Sequence, residues 1–345
     1  MSELQETQNN TVRYVVTVSG KECTQDNSQG LESLWIEDHM EKIGMCNLTF
    51  SSGEIEWKTF KEGDDVEVVV GGSDKKLFVG TISGIRHSWK GAVEVVTIEA
   101  MDSLVKLAAS TATKAYNAEK ATQTDDQIVQ EVLKEAKVDA GKIDTSSLKQ
   151  YTLQLNESHL TFLKKLASRN GYMLMSNEGK VDFFKPGTSD PSVEVPADQL
   201  MNINSMNDQS MIPQEVVVIG FNYFEKKVVS GKCSSSSVSG VGGGGAKPSS
   251  NTFSGTRYVT GVRASTDAEA KGMAEGIMEG MAKGRVKGRA TIQGNGAIRA
   301  GVKVKFKGLE ASQNPEVMVV SARHTMAPGV GFRTQLQFKG DGAPE

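Results

Sequence analysis

Two distant stretches of this chain carry one pattern. VEVVVGG begins at Val66 and is followed by SGIRHSW and VEVVTIEA; VKVKFKG begins at Val302 and is followed by VSARHTM and GFRTQLQF. Val66, Val68, Val70 and Gly72 match Val302, Val304, Phe306 and Gly308 at identical spacing. Arg86-His87 lies 20 residues after Val66, and Arg323-His324 lies 21 after Val302. Alternation of apolar and polar residues marks strands with one face buried, and by itself it recurs by chance. The shared glycine, the shared Arg-His and the shared offset make it a repeat. The chain is therefore expected to hold two copies of one small β-barrel, with something different between them.

The remaining strands support this division. TVRYVVTVSG places Val12, Tyr14, Val16 and Val18 on one face, and DDVEVVVGGSDKKLFVGTISGI reads as a hairpin turning at GGSDKK. Near the end, Phe332, Thr334, Leu336 and Phe338 share a face opposite Arg333, Gln335 and Gln337. Between the two β regions the period changes. TDDQIVQEVLKEA (124–136) has Thr124 or Asp125 as N-cap and Ile128, Val129, Val132 and Leu133 at helical spacing. ESHLTFLKKLASRNG (157–171) repeats the helical pattern and ends on Gly171 as a C-cap, before a hairpin around Asn177–Gly179. The expected fold is mainly β with an α+β part. A first barrel covers 1–110, an α+β domain 111–205, and a second barrel 206–345 with a Ser/Gly-rich loop at 232–251 and a helix at 265–284.

Charge and composition exclude several functions. With 345 residues, 39 Lys+Arg, 42 Asp+Glu and net charge −3, the chain has no general drive toward nucleic acid or anionic membrane. MSELQETQNN has no apolar core of a secretion signal, no run approaches a membrane span, and three scattered cysteines suggest reduced thiols in a cytosolic product. The four histidines, His39, His87, His159 and His324, form no metal-ligand spacing, and the duplicated His87 and His324 read as structural corners. GVGGGGAKPSS fails as a phosphate loop because Ala246 separates Gly245 from Lys247, and IQGNGAIRAG precedes a strand rather than a helix. No GxSxG is present. No catalytic, cofactor or metal residue is expected, and the chain is read as a non-enzyme.

One stretch resists easy reading. KGMAEGIMEGMAKG holds Gly272, Gly276, Gly280 and Gly284 at every fourth position of an expected helix, where each glycine costs roughly 1 kcal/mol against alanine. Met273, Ile277 and Met281 form a stripe beside them. Either the glycines let the helix lie close on its own barrel, or Gly272, Met273, Gly276, Ile277, Gly280 and Met281 also meet a neighbouring subunit.

The ordered set of pieces resembles the phage late control protein D family, the hub proteins of contractile tails, related to the hub half of the valine-glycine-repeat spike proteins of type VI secretion. Three stretches carry the resemblance. They are FKEGDDVEVVVGGSDKKLFVGTISGIRHSWKGAVEVVTIEAMDSLVKL, LNESHLTFLKKLASRNGYMLMSNEGKVDFF, and the run from ASTDAEAKGMAEGIMEGMAKG to GFRTQLQF. The Ser/Gly insert at 232–251 departs from it, and the absence of a spike domain after GDGAPE leads one to expect a separate spike protein. The resemblance implies tail-tube-like barrels and a homotrimer that joins a hexameric inner tube to a trimeric spike beside baseplate wedge proteins. It also implies assembly in the bacterial cytoplasm into a virion tail or injection particle. The alternative is a cell-wall component. YTLQLNESHLTFLKKLASRNGYML is somewhat similar to a lysin-motif glycan-binding module, which would place glycan binding or hydrolysis in 121–186.

Overall fold

The computed structural model describes residues 14–24, 31–51, 60–70, 76–118, 122–185, 192–208, 210, 212–223, 225–237, 255–262, 264–309, 316–327 and 329–340. The expected turn GGSDKK, apart from Lys76, and residues 238–251 of the Ser/Gly segment lie outside these residues.

The first β region supplies β1 (Tyr14–Val18), β2 (Lys21–Thr24), β3 (Leu31–His39), β4 (Met45–Ser51), β5 (Asp65–Val70), β6 (Lys76–Lys90) and β7 (Val93–Met101). Alternation sends Val16, Val18, Val66, Val68 and Ile98 into one core, as the sequence pattern predicts, and Ile36, Leu48 and Phe50 join it from β3 and β4, two strands that the pattern did not single out. Next come α1 (Leu104–Ala109), β8 (Thr111–Tyr116), α2 (Asp125–Glu135), β9 (Ala140–Ile143), β10 (Thr152–Ser158), α3 (His159–Asn170), β11 (Met173–Asn177) and β12 (Lys180–Phe184). Both helices start where the sequence indicates. Gln127 Oε1 accepts the Thr124 amide at 3.0 Å, and Ser158 Oγ accepts the Thr161 amide at 3.1 Å. Their apolar faces form a second core of Ile128, Val132, Leu133, Phe162, Leu163, Leu166 and Phe183.

The last third contains β13 (Val193–Pro196), β14 (Leu200–Asn207), β15 (Glu215–Asn222), β16 (Lys227–Ser234), β17 (Thr256–Val259), α4 (Asp267–Ala282), β18 (Val286–Gln293), β19 (Lys303–Lys307), β20 (Glu316–Ala327) and β21 (Gly331–Gly340). Two expectations need correction here. β13 and β14 pair with β19 and β18, so residues 193–207 belong to the second barrel and not to the α+β region. In addition, β15, β16, β17 and α4 are not barrel elements. They form a separate three-stranded sheet, order β16–β15–β17, with α4 laid on it. This unit has its own core of Val216, Val218, Val229, Cys233, Ala270, Met273, Ala274, Met278 and Ala282. It is inserted between β14 and β18, whereas the equivalent strands of the first barrel, β3 and β4, are joined by residues 40–44 alone. Lys232, Cys233 and Ser234, read as loop, finish β16, because Val229, Gly231 and Cys233 alternate inward onto α4.

The two barrels share one sheet. Among the described residues thirteen strands are joined in it, running β14–β18–β21–β20–β3–β4–β7–β6–β5–β1–β2, with β19 also on β20 and β13 on β19.

Candidate assembly interface

The repeat can now be aligned by pairing instead of by letters. In the first barrel β5–β6–β7–β4–β3 are neighbours in that order; in the second the order is β19–β20–β21–β18–β14. Arg86 pairs with Thr97, and Arg323 with Gln335. Both long strands carry a bulge three residues before that arginine: Ile82 and Gly84 face Ala100 and Glu99, while Val319 and Ser321 face Phe338 and Gln337. A second bulge also recurs, at Leu31/Ser33 against β4 and at Leu200/Asn202 against β18. The ladders correct the sequence alignment by two residues in one strand. Val66 pairs with Gly80, and Val304 with Val317, so Val66 corresponds to Val304 and not to Val302. Strict alternation hides such a slip, because a shift of two returns every side chain to its own face.

The barrels meet where β20 pairs antiparallel with β3, from Ser321 opposite His39 to Met326 opposite Leu34. β20 is long enough to serve two partners on one edge. Its first residues, through Met318, pair β19, and its later ones, from Ser321, pair β3. The Arg323 guanidinium lies over the Trp35 ring, 4.6 Å from its centre. His324 is buried, its Nδ1 3.0 Å from Thr334 Oγ1, and burial, helped by the charge of Arg299, pushes its pKa down to about 3. Its counterpart His87 lies 3.1 Å from Glu94 and is exposed. Equivalent sequence positions thus sit in different surroundings, because one strand is covered by a neighbour.

A polar junction locks the barrels to the α+β region. Arg299 Nε donates to Asp38 Oδ2 of β3 at 3.1 Å, and its Nη1 reaches the Lys76 carbonyl at 3.3 Å and Asn177 Oδ1 of β11 at 3.2 Å. Burial raises the pKa of Asp38, with Arg299 opposing. Nearby Asp102 accepts the Gly44 and Leu104 amides at 2.7 and 2.9 Å, and burial pushes its pKa up to about 7. Both carboxylates are bound to fixed donors, which is the geometry of a structural fastening.

Part of the glycine-striped helix packs within the chain. A Cβ on Gly276 would sit 3.5 Å from the Gly171 nitrogen, and Gly171 ends α3 with φ +67°, a left-handed turn suited to glycine. These two glycines let α4 pass across the end of α3. Met273 is buried in the core of the inserted unit. Ile277, Gly280 and Met281 line a crevice of about 610 Å³ between α3 and α4, whose other walls include Lys164, Tyr172 and Lys339. A Cβ on Gly272 or Gly280 would meet nothing within 4 Å. The six residues singled out in the sequence therefore divide between core, helix crossing and open surface.

The strands that flank α3 belong to different sheets, β10 with β8 and β11 with β12, so the lysin-motif-like stretch is not a closed strand–helix–strand module. Among the described residues no group of three or more His, Cys, Asp or Glu could hold a metal ion, and no helix is long and apolar enough to cross a membrane.

Comparison with known proteins defines first the class of fold. The chain is similar to the 43 kDa tail protein of prophage MuSo2 from Shewanella oneidensis, at 13% identity and TM-score 0.69, covering 95% of this chain and 98% of that one. A tail protein of Neisseria meningitidis MC58 matches at 14% identity and TM-score 0.69, covering 95% and 96%. The E. coli c3393 protein, a type VI secretion component described as similar in structure to the T4 tail proteins gp27 and gp5, matches at 13% identity and TM-score 0.61, covering 96% and 76%. The fold is that of phage-tail and type VI secretion components, as the resemblance in the sequence implied. No curated protein matches in sequence. The model of the Alg8 N-terminal domain matches residues 8–328, and the chain belongs to that family.

Proposed function

We propose that this chain is the baseplate hub of a contractile tail or injection machine, a homotrimer that joins a hexameric inner tube to a trimeric spike. The observation that carries the reading is the seam between β20 and β3, where two like barrels in one chain are joined edge to edge in a single sheet. Such a contact is heterologous: one barrel offers the edge of its long strand and the other offers a different strand. Heterologous contacts between like units build rings when the rotation closes. Each chain supplies two such units, so three chains supply the six needed against a sixfold tube while keeping the threefold symmetry of a spike. The tail-protein fold agrees with this work. The inner tube protein, a separate spike protein and baseplate wedge proteins are the expected partners, and the particle is assembled in the bacterial cytoplasm. The fastening of Asp38, Arg299 and Asn177 would hold the α+β region rigidly to the ring.

Electron microscopy of the purified chain, alone and mixed with the inner tube protein of the same system, tests the proposal. Rings of six barrels with threefold overall symmetry, capping tube ends in the mixture, are expected. Single two-barrel particles that ignore tube ends would refute it.

A further inference from the structure

The seam inside the chain specifies what a seam between chains would look like. β20 uses its later half to hold β3, but the corresponding half of β6, from Ser83 to Lys90, has no strand on that edge among the described residues, the Ile82 backbone being bonded to Gly63 and Asp64. β14, which corresponds to β3, pairs with β18 alone among the described residues. Among the described residues, one edge of each kind therefore carries no paired strand. We propose that copies of this chain join by pairing β6 of one with β14 of the next. The pairing is antiparallel, with Arg86 opposite Met206 and Trp89 opposite Ile203. This deepens the hub reading and rests on it.

The register follows from the ladders. The Arg-His pairs and bulges map Ser321–Met326 onto Gly84–Trp89. The second bulge maps Leu34–His39 onto Ile203–Asp208. Arg323 faces Glu37 and Met326 faces Leu34 in the internal seam, which gives Arg86 facing Met206 and Trp89 facing Ile203 in the new one.

Burial points the same way. His324, Ala322 and Ser321 are buried, but their counterparts His87, Ile85 and Gly84 are exposed or half-buried. Ile36 and Asp38 are buried, but their counterparts Ser205 and Asn207 are exposed. Trp89 and Met206 are 65% and 62% exposed, among the more open large apolar side chains described. An open edge strand is a hazard that chains usually blunt with lysine, proline or a cover. Neither Gly84–Trp89 nor Ile203–Asn207 contains a lysine or a proline. These are edges made to be paired, and the partner they fit is another copy of the chain.

The test uses the full chain with Cys23→Ser, since Cys46 and Cys233 are buried. Directly opposed residues in an antiparallel pair bring their Cα atoms to about 4.5–5.5 Å, within disulfide range. Arg86→Cys with Met206→Cys should cross-link between chains on mild oxidation into covalent dimers and closed trimers, and neither single variant should. His87→Cys with Ser205→Cys is a second in-register pair that spares Arg86. Arg86→Cys with Met201→Cys, out of register, should stay uncoupled. The mass of the unoxidised protein is measured beside each. Trimers that cross-link at neither in-register pair, or that couple better at the displaced one, overturn the seam and leave the hub reading standing. A chain that never associates overturns both.

Discussion

The closest backbone approach to a glycine in the inserted unit lies at Gly231, not in the glycine stripe of α4. A Cβ there would stand 2.0 Å from the Lys271 nitrogen, 2.2 Å from the Ala270 carbonyl carbon and 2.4 Å from the Lys271 Cα. All three are backbone atoms of α4, so no side chain can swing aside. Gly231→Ala must push the helix off β16 by about 1 Å or more, and overpacking of a well-filled core costs about 1–3 kcal/mol, more where backbone has to move. The shift would also loosen Ala270, Met273 and Ala274 and stretch the 2.8 Å bond from the Ser230 amide to Asp267. A loss of about 3 kcal/mol or more is expected. Gly280→Ala is the matched control. Its Cβ meets nothing within 4 Å, and alanine should gain about 0.8–1 kcal/mol of helix propensity. Urea unfolding followed by circular dichroism measures both. Equal midpoints for Gly231→Ala and the parent protein, or destabilisation by Gly280→Ala, would refute the packing described for α4.

Three further outcomes follow. Asp125 is fully buried and is held by Arg169 through two nitrogens and by Asn170 at 2.6 Å, so Arg169→Ala should cost about 3–5 kcal/mol in denaturant unfolding by leaving a buried carboxylate without its cation; a loss below 1 kcal/mol would contradict the role given to the pair. His324 is neutral in the fold with a pKa near 3 against 6.5 when unfolded, so its contribution is complete above pH 6.5 and is lost as pH falls toward 3, by up to about 1.4 kcal/mol per pH unit; His324→Gln should flatten the stability–pH profile in that window, and an unchanged slope would count against a buried neutral imidazole. Zymography on peptidoglycan should give no clearing band, and a band that depends on residues 121–186 would revive the cell-wall reading.

Much of the fold is legible in the letters, for physical reasons. Strands such as β21 bury every second residue, so Phe332, Thr334, Leu336 and Phe338 announce their shared face. The capped helices α2 and α3 declare their ends through Thr124, Ser158 and Gly171. The inserted unit is not legible. QEVVVIGFNYF is as rich in β-formers as a barrel strand would be, and nothing local says that Val216 and Val218 face α4 instead of a barrel core. The glycine stripe invites a contact along its whole length, but only Gly276 meets the backbone of another helix, since that contact depends on where α3 ends. The seams are hidden for the same reason. His87 and His324 look alike until pairing reveals which of them a neighbouring strand covers.

The central claim is that a chain with two barrels closes its ring with three copies. Sedimentation equilibrium or native mass spectrometry of the purified chain tests it most directly. A closed species of three times the 37.1 kDa chain mass is expected, without a ladder of larger forms. A monomer, a dimer, or an open series growing with concentration would contradict it.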